Sequence, residues 1–546
     1  MDDRQGQRGS GGNREMWASR LGVILAVTGS AVGLGNFLRF PGLAAKYDGG
    51  AFMIPYFIAF LLLGLPIAWS EWAMGRYGGR HGYNSSPGIF RVLWRNRAAP
   101  YFGVLAMVVP VMIYMYYVYI EAWCLAYAVR YLFGAMGFEN PEQFFTFFAQ
   151  FTGIEQDGAA WAIEGEGLLG SGVFFLVLCF VLNFVLIYRG LSKGIEWFCS
   201  WAMPALLVCA VIVLIRVLTL GTPDPQKPEL NVLNGLGYMW NPATERLGFF
   251  ESLRKPEMWM EAAGQIFFSL SVGFGIIITY ASYLKSDDDI ALSGLTACAG
   301  NEFCEVALGG LMIVPAAYVF FGHETLQASQ STFALGFVTL PNVFGKLPAG
   351  GDVIGFLFFF LLFLAAVTSS LSMLQPAIAL LEEGLGLRRR ASVAMLGFIT
   401  AVGSAFIVYF SKDLTALDTI DFWVGTFGIY VLALFQVILF AWILGVDRGF
   451  EELDRGAEIR VPRIFKFIIK YVSPTYLLAV FAAWAYQSLF VVPEGQPSRL
   501  QAIVENRTVQ LSIGLIVLVS ALFALLIAQS VQRWRAAERA AGGKKP

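Results

Sequence analysis

The sequence has few of the residues that enzymes most often use for metal binding and acid–base catalysis. Its 546 residues include two histidines, His81 and His323, and six cysteines. The cysteines lie at scattered spacings inside apolar segments, a pattern that predicts neither a zinc site nor a disulfide framework. A catalytic or metal centre built on histidine is therefore nearly excluded, and no enzyme activity is predicted.

Charged residues are also scarce. They make up 14% of the chain, whereas soluble proteins contain about 25%. Hydrophobic residues account for 57%. They occur in runs of about 20 residues, which is the length of a helix that crosses a bilayer. The net charge of −1 gives no electrostatic basis for nucleic-acid binding. The composition therefore predicts an all-α, polytopic membrane protein.

Hydropathy predicts about twelve transmembrane helices, which we number spans 1 to 12. Their expected positions are, in order, 17–42, 48–75, 98–132, 171–188, 192–219, 257–285, 292–321, 353–386, 391–410, 416–446, 465–490 and 508–532. The loops after spans 2 and 8 are rich in arginine, whereas the segment between spans 3 and 4 is acidic. The positive-inside rule then predicts that both termini are cytoplasmic. The expected location of this multi-pass protein is the cell inner (plasma) membrane.

Spans 1 and 6 contain matched glycine-rich interruptions, at residues 29–36 and 269–275. Each has the order Val-Gly-x-Gly, and the two spans open successive groups of five. An unwound turn frees backbone N–H and C=O groups that lipid cannot satisfy, so they must face a cavity, an ion or a substrate. Such matched breaks are typical of a transporter's binding site. The alternative is that the glycines only permit close helix packing.

Several ionisable residues fall inside the spans, where a charge is costly. Arg39 lies one turn beyond the break in span 1, and Asp421 begins span 10 at the same expected level. The two residues form either a gate above the breaks or a permanent brace. Glu71 and Glu121 either serve the site or have a structural role, bonded to freed backbone N–H groups.

Span 8 presents the most specific polar pattern. Ala365, Thr368 and Ser369 are spaced i, i+3 and i+4, so one helical face carries a carbonyl and two hydroxyls. Such hydroxyls often bond to their own helix, but neutral oxygens also suit a monovalent cation that must later leave. Asn301 and Glu305 share a face of span 7 in the same way. These residues predict a cation-coupled transporter for a small zwitterion.

A series of short motifs extends along residues 14–490. They include Gly33-Leu-Gly-Asn-Phe-Leu-Arg-Phe-Pro41, Glu71-Trp-Ala-Met-Gly-Arg76, Ser271-Val-Gly-Phe-Gly275, Thr368-Ser-Ser370 and Asp421-Phe-Trp423. In this order they resemble the neurotransmitter:sodium symporter family, and among its members the bacterial LeuT-type amino-acid transporters. The resemblance implies an inverted 5+5 repeat of helices in which helices 1 and 6 are broken.

The resemblance also implies the organisation of the chain. The segments are a cytoplasmic N-terminal tail (1–16), a first repeat (17–219), an extracellular loop (220–256), a second repeat (257–446), helices 11 and 12 (465–532) and a cytoplasmic C-terminal tail (533–546). The expected partners are sodium ions, a small-molecule amino acid and the lipid bilayer. The oligomeric state is not predicted.

Two sodium sites are implied by the same resemblance. The first would use Ala31, Asn36, Ser269 and Asn301 with the carboxylate of the substrate, and the second would use Gly29, Val32, Ala365, Thr368 and Ser369. The implied contacts of the amino acid are Ala31, Gly33, Leu34, Gly35, Ile113, Tyr117, Phe268, Ser269, Ser271, Phe274, Ser369 and Met373. Ser269 departs from the family, which more often has threonine there.

Gate residues follow from the resemblance as well. Arg39 and Asp421 would form the outer gate, with Phe268 and Tyr117 as its lid. Arg14 and Glu383 resemble the inner gate, near Trp17 and Tyr283, although an aspartate is typical at the position of Glu383.

Two further positions bear on the transported class. Gly33 occupies the place where monoamine carriers of this family have an aspartate, so an amine without a carboxylate would lack its partner charge. Glu305 matches the acid that stands in for chloride in chloride-independent members. The expectation is sodium-coupled, chloride-independent uptake of a neutral, hydrophobic amino acid by alternating access. The alternatives are a carrier of another small zwitterion or amine, an amino-acid-gated channel, and a sensor.

Overall fold

The computed structural model describes residues 17–47, 49–138, 140–161, 163, 167–241, 249–328, 332–347, 349–490 and 498–540. Throughout these ranges the chain forms helices and loops, without a β-strand. The predicted tail 1–16, part of the loop 220–256 and the end of the tail 533–546 lie outside them. The all-α prediction is confirmed.

Every predicted span contains helix. The observed bounds are Arg20–Ala31 with Gly35–Lys46 (span 1), Gly50–Arg80 (2), Ala99–Leu132 (3), Gly172–Tyr188 (4), Leu191–Leu218 (5), Pro256–Leu270 with Ile276–Ala281 (6), Ile290–Gly322 (7), Gly351–Leu385 (8), Arg389–Tyr409 (9), Lys412–Asp454 (10), Ile464–Phe490 (11) and Arg507–Ala540 (12). Shorter helices cover Ser86–Leu93, Pro141–Thr152, Val232–Trp240, Phe249–Ser252, Thr332–Gly345 and Arg499–Glu505.

The described chain contains nine helices that are long and apolar enough to cross a membrane, or ten if the two halves of span 1 count as one. Span 4 has 17 residues, and span 6 is interrupted. Neither span is therefore among these nine. The multi-pass membrane protein is confirmed, whereas the count of twelve spans stays a prediction.

Span 1 is broken inside the predicted interval 29–36. Its first helix ends at Ala31, Val32 is extended with φ −72° and ψ 98°, and helix resumes at Gly35. The two halves meet at a bend of 47°. The side-chain oxygen of Asn36 accepts a hydrogen bond from the Gly33 N–H at 2.8 Å. One backbone donor that the break exposes is thus satisfied inside the protein, as lipid requires.

Span 6 is broken inside the interval 269–275. Helix ends at Leu270, and Ser271, Gly273 and Gly275 all have positive φ, of 54°, 76° and 79°. Two of these three positions are glycine, which adopts the left-handed region without strain. The Gly273 N–H donates to the Glu71 carboxylate at 3.0 Å. Glu71 therefore has the structural role that was one of its two predicted interpretations.

Glu121 joins three spans in the buried interior. Its carboxylate accepts a hydrogen bond from the Asn183 amide of span 4 at 3.1 Å and another from the Ser370 hydroxyl of span 8. These donors are side chains, so the expected bond to a freed backbone N–H is not observed. Glu121 still has a structural role, because its carboxylate connects span 3 to spans 4 and 8.

The loops at one end of the bundle are joined by a buried arginine. Arg76 is fully buried and donates to Glu452 at 2.8 Å, to the Arg455 carbonyl at 3.0 Å and to the Asp288 carbonyl. Arg80 donates to the second oxygen of Glu452 at 2.8 Å. We call these residues the Arg76 cluster. It connects span 2, the loop after span 6 and the end of span 10.

All six cysteines are buried as free thiols. They are Cys124, Cys179, Cys199, Cys209, Cys298 and Cys304.

Candidate functional site

Glu305 of span 7 is fully buried at the centre of a hydrogen-bond network beside both breaks. Its Oε1 accepts from the Gln265 amide at 2.6 Å, and its Oε2 accepts from the Asn36 amide at 3.2 Å and from the Ser269 hydroxyl. The Asn301 amide lies 3.4 Å from the same oxygen. A buried carboxylate is costly unless it is paired or hydrogen-bonded. These donors from spans 1, 6 and 7 therefore stabilise one negative charge.

The Asn301 side chain lies where the same three spans meet. In one orientation of its amide, the oxygen faces the carbonyl oxygens of Ala31 at 3.2 Å and Ser269 at 3.3 Å. In the other orientation, the amide nitrogen donates to these carbonyls instead. An amide orientation is assigned from its hydrogen bonds. The hydrogen bonds are satisfied in the second orientation, whereas a hard cation bound here would favour the first, which brings three oxygens together as ligands.

Spans 1 and 8 bring a second group of oxygens together. The Ser369 hydroxyl lies 3.3 Å from the Gly29 carbonyl oxygen and 3.1 Å from the Ala365 carbonyl oxygen. Thr368 Oγ1 lies 3.0 Å from the same Ala365 oxygen. Val32, which follows the last residue of the first helix of span 1, is buried. These oxygens are uncharged, and such a set suits a monovalent ion that must also be released.

A small cavity lies between the breaks and spans 3 and 8. It is lined by Ser30, Ala31, Gly33, Gly35, Tyr117, Phe268, Ser271, Phe274, Ser369 and Met373. Its volume is about 20 Å³, which is about the space of one water molecule. An amino acid therefore fits only if these side chains move apart.

Three of the predicted contacts of the amino acid do not line this cavity. Leu34 lines the larger cavity described below, Ile113 is fully buried in span 3, and Ser269 belongs to the Glu305 network. Ser30, which does line the cavity, was missed. Its hydroxyl lies 2.7 Å from that of Ser372 in span 8, and no sequence spacing signals a contact between such distant residues.

The backbone approaches the cavity closely at Gly33. A Cβ atom there would lie 2.8 Å from both Ser369 Oγ and Tyr117 Oη. The neighbouring Leu34 N–H donates to the Tyr117 hydroxyl at 3.2 Å. The second helix of span 1 begins just beyond, at Gly35. Its positive N-terminal end, together with the tyrosine hydroxyl, favours a carboxylate at this point.

A larger cavity of about 370 Å³ extends from the small one toward the end of the bundle opposite the Arg76 cluster. We call it the vestibule. Its lining is Leu34, Gly35, Leu38, Arg39, Tyr116, Tyr117, Ile120, Phe268, Thr332, Phe333, Asp413, Leu414, Leu417, Asp418, Asp421, Gly425 and Thr426. Tyr117 and Phe268 line both cavities, which is the arrangement expected of a lid between them.

Arg39 and Asp421 both line the vestibule, but they have different partners. Arg39 Nη2 lies 3.6 Å from Glu261 Oε2, and its guanidinium lies 5.3 Å from the centre of the Phe268 ring. Asp421 Oδ1 accepts a hydrogen bond from the Tyr116 hydroxyl at 2.6 Å. A permanent Arg39–Asp421 brace would require an ion pair here, so this geometry favours the gate over the brace.

The predicted inner gate is seen only in part. Arg14 lies outside the described residues. Glu383 accepts hydrogen bonds from the Ser85 N–H at 2.9 Å and the Ser85 hydroxyl at 3.1 Å, so it holds the start of a loop helix. The first described residue, Trp17, is buried and donates from its indole N–H to the Tyr280 carbonyl at 3.1 Å. Span 1 is thereby closed against span 6 at this end.

Gln265 and Glu196 are further residues that sequence reasoning missed. Gln265 lies one turn before Ser269 and donates to Glu305, and its i, i+4 spacing was an available signal. The Glu196 carboxylate accepts from the N–H groups of Ala18 at 3.0 Å and Ser19 at 3.1 Å. Glu196 thus holds the start of span 1 against span 5, and no spacing signals that contact.

A cavity between two broken helices, flanked by clusters of uncharged oxygens, is the arrangement of a cation-coupled secondary transporter. The chain belongs to the sodium:neurotransmitter symporter family, whose model matches residues 14–150 and 157–529. The protein is therefore a sodium-coupled transporter of the membrane and not an enzyme. The resemblance stated from the sequence motifs is confirmed.

Individual relatives agree with this assignment. A sodium-dependent transporter of Methanocaldococcus jannaschii is 29% identical over 472 residues, which cover 86% of this chain and 89% of the relative. The sodium-dependent serotonin transporter of Drosophila melanogaster is 27% identical over 508 residues, covering 86% of this chain and 76% of the relative. The crystal structure of MhsT in complex with L-phenylalanine matches with a TM-score of 0.72 and 26% identity, covering 86% of this chain and 100% of that one.

Proposed function

We propose that the protein is a chloride-independent symporter that imports a neutral, hydrophobic amino acid with sodium by alternating access. The observation that carries the proposal is the position of Glu305. Its carboxylate is held by donors from spans 1, 6 and 7 and lies beside the Asn301 amide. A negative charge that belongs to the chain at this point supplies the counter-charge that a bound chloride ion would otherwise supply.

Two sodium ions have separate ligand sets in this proposal. The first ion binds between the carbonyls of Ala31 and Ser269 and the Asn301 side-chain oxygen, with the amide in the orientation that turns this oxygen toward them. Asn36 and the carboxylate of the substrate complete the set. The second ion binds among Gly29, Val32, Ala365, Thr368 and Ser369. Coupling follows because the substrate carboxylate is itself a ligand of the first ion.

The amino-acid class follows from what surrounds the small cavity. The carboxylate binds beside Tyr117 at the break in span 1, and the ammonium group binds to backbone carbonyls near it. Phe268, Phe274 and Met373 give the remaining wall an apolar character. Gly33 provides no acidic side chain for an amine that lacks a carboxylate. The complex of MhsT with L-phenylalanine supports the same class.

Alternating access would close the end of the bundle that holds the vestibule and open the opposite end. The vestibule faces the outside and both termini are cytoplasmic in this proposal. Substrate binding draws Phe268 and Tyr117 together, and Arg39 exchanges Glu261 for Asp421 as the vestibule closes. Spans 1, 2, 6 and 7 then rock against spans 3, 4, 8 and 9, and the contact between Trp17 and Tyr280 opens.

We expect hydrophobic amino acids to stabilise the purified protein in sodium but not in potassium. Ligand at a hundred times its Kd stabilises the folded state by about 2.7 kcal/mol. The measurement is the apparent thermal midpoint with each of the twenty amino acids in either salt. An equal effect in potassium would contradict sodium coupling. Stabilisation by an amine without a carboxylate would contradict the substrate class.

Replacing Gly33 with alanine is expected to weaken amino-acid binding by about ten- to a hundredfold. The added methyl group would lie 2.8 Å from Ser369 Oγ and Tyr117 Oη, and such overpacking costs about 1–3 kcal/mol. The matched control is Gly514→Ala, because a Cβ at Gly514 meets nothing within 4 Å. Both variants are titrated by scintillation proximity with a radiolabelled amino acid. Unchanged affinity in Gly33→Ala would place the substrate elsewhere.

A further inference from the structure

A groove runs along the outer surface of the bundle between spans 4 and 9. One wall carries the rings of Phe180 and Phe184, which stack at 4.6 Å between centroids. The floor on span 9 consists of small residues, including Ala394 and Gly397. A Cβ at Gly397 would lie only 3.1 Å from the Phe184 ring, so the two helices approach closely beneath the groove. Its volume is about 470 Å³.

The length of the groove along span 4 matches the thickness of one membrane leaflet. Phe180 and Arg189 mark its two ends on span 4, about 14 Å apart at 1.5 Å per residue. One leaflet occupies about half of the roughly 30 Å hydrocarbon core. Val181 and Val185 lie between them with 55% and 47% of their surface exposed. The open side of the groove is therefore apolar and faces acyl chains.

The end of the groove at the membrane surface is positively charged. Arg189 and Arg390 line it and are exposed, and the Arg390 guanidinium lies 5.6 Å from the centre of the Tyr188 ring. Neither arginine forms a salt bridge with any residue that the structure describes. Arg389 is different, because it donates to the Ile187 carbonyl at 2.9 Å. Among the described residues, two positive charges thus remain without a carboxylate partner where the groove meets the lipid headgroups.

We propose that this groove binds one anionic phospholipid, with its phosphate between Arg189 and Arg390 and an acyl chain along Phe180 and Phe184. Arginine forms bidentate hydrogen bonds with phosphate, and basic pockets between transmembrane helices bind anionic headgroups. A second copy of the chain is a poorer occupant. A twofold contact through this face would bring the arginines of both copies together, whereas a lipid supplies the opposite charge.

The site is separate from the transport pathway. None of the residues that line the groove lines the vestibule or the small cavity. The proposed lipid site therefore does not depend on the substrate and ion assignments. Variants in the groove are expected to keep sodium-dependent binding of the amino acid.

The charge requirement is tested with the double variant Arg189→Gln/Arg390→Gln. Its matched control, Arg535→Gln/Arg539→Gln, removes two exposed charges from span 12 at the same end of the bundle. The purified, delipidated full-length proteins are titrated with phosphatidylglycerol or phosphatidylcholine, and bound lipid is counted by native mass spectrometry. The unaltered protein and the control should prefer phosphatidylglycerol. The groove variant should bind it about 30-fold more weakly. Equal binding by all three proteins would overturn the proposal.

The requirement for an acyl chain is tested with Ala394→Trp, which fills the groove from an exposed position on span 9. The control is Phe398→Trp, since Phe398 is 72% exposed on the same span and lies outside the groove. Only Ala394→Trp should lose the bound phosphatidylglycerol, and soluble glycerol phosphate should not displace the lipid. Displacement by glycerol phosphate, or lipid retained in Ala394→Trp, would contradict the site. A Val185→Cys variant that forms disulfide-linked dimers in membranes would show instead that a second copy covers this face.

Discussion

Replacing Glu305 with serine is expected to abolish uptake in chloride-free medium and to restore it when chloride is added. The carboxylate is fully buried beside the proposed first sodium site. Without its charge, a sodium ion at that site has no counter-charge in a medium of low dielectric constant. Chloride can take the space that the shorter serine side chain leaves. The measurement is sodium-driven uptake of a radiolabelled amino acid into proteoliposomes, in chloride or gluconate.

The neighbouring acid provides the control for this experiment. Glu302 lies three residues earlier on span 7, and its carboxylate accepts a hydrogen bond from the Tyr56 hydroxyl at 2.7 Å. The amides of Asn36 and Gln265, by contrast, donate to Glu305. Glu302→Gln should therefore remain independent of chloride. Uptake by Glu305→Ser that is insensitive to chloride would refute the assigned role of Glu305.

Replacing Glu452 with alanine is expected to destabilise the protein by about 3–5 kcal/mol, the cost of leaving one partner of a buried ion pair uncompensated. Arg76 is fully buried and Glu452 is 4% exposed. Two arginines, Arg76 and Arg80, lose their partner carboxylate at once. The apparent thermal midpoint in detergent, followed by the loss of monodisperse protein, measures the effect.

The ion pair between Asp447 and Lys466 supplies a contrast in the same region. Its atoms lie 2.7 Å apart, but the Asp447 side chain is 80% exposed. Exposed ion pairs are screened by solvent and contribute little, so Asp447→Ala should leave the midpoint almost unchanged. Equal effects of the two substitutions would mean that the Arg76 cluster is not buried in the folded protein.

The breaks in spans 1 and 6 could be predicted from the sequence because their physical cause is local. Helix in lipid is interrupted only where the backbone has an alternative. The left-handed Gly273 and Gly275 supply the conformation, and Asn36 and Glu71 supply acceptors for freed N–H groups. Spacing along a helix likewise predicted that Thr368 and Ser369 share a face with Ala365.

The partners of long, charged side chains could not be predicted in the same way. Arg39 contacts Glu261 and not Asp421, although all three residues line one further cavity at the vestibule end of the bundle. A guanidinium can reach several carboxylates from one backbone position. Which carboxylate it pairs with depends on the distances between the helices. Glu383 is another long side chain with a partner that could not be predicted, since it accepts a hydrogen bond from the backbone N–H of Ser85. Such contacts depend on distances between spans, which no periodicity in the chain encodes.

The burial of every native thiol has a practical consequence for following the transport cycle. Water-soluble maleimides do not reach side chains packed among helices, so the unmodified chain is already an unreactive background for labelling. A cysteine introduced at Thr332, which lines the vestibule, would then report its own accessibility without removal of any other residue. Its labelling rate with and without sodium and amino acid gives a direct record of when that side of the protein is open.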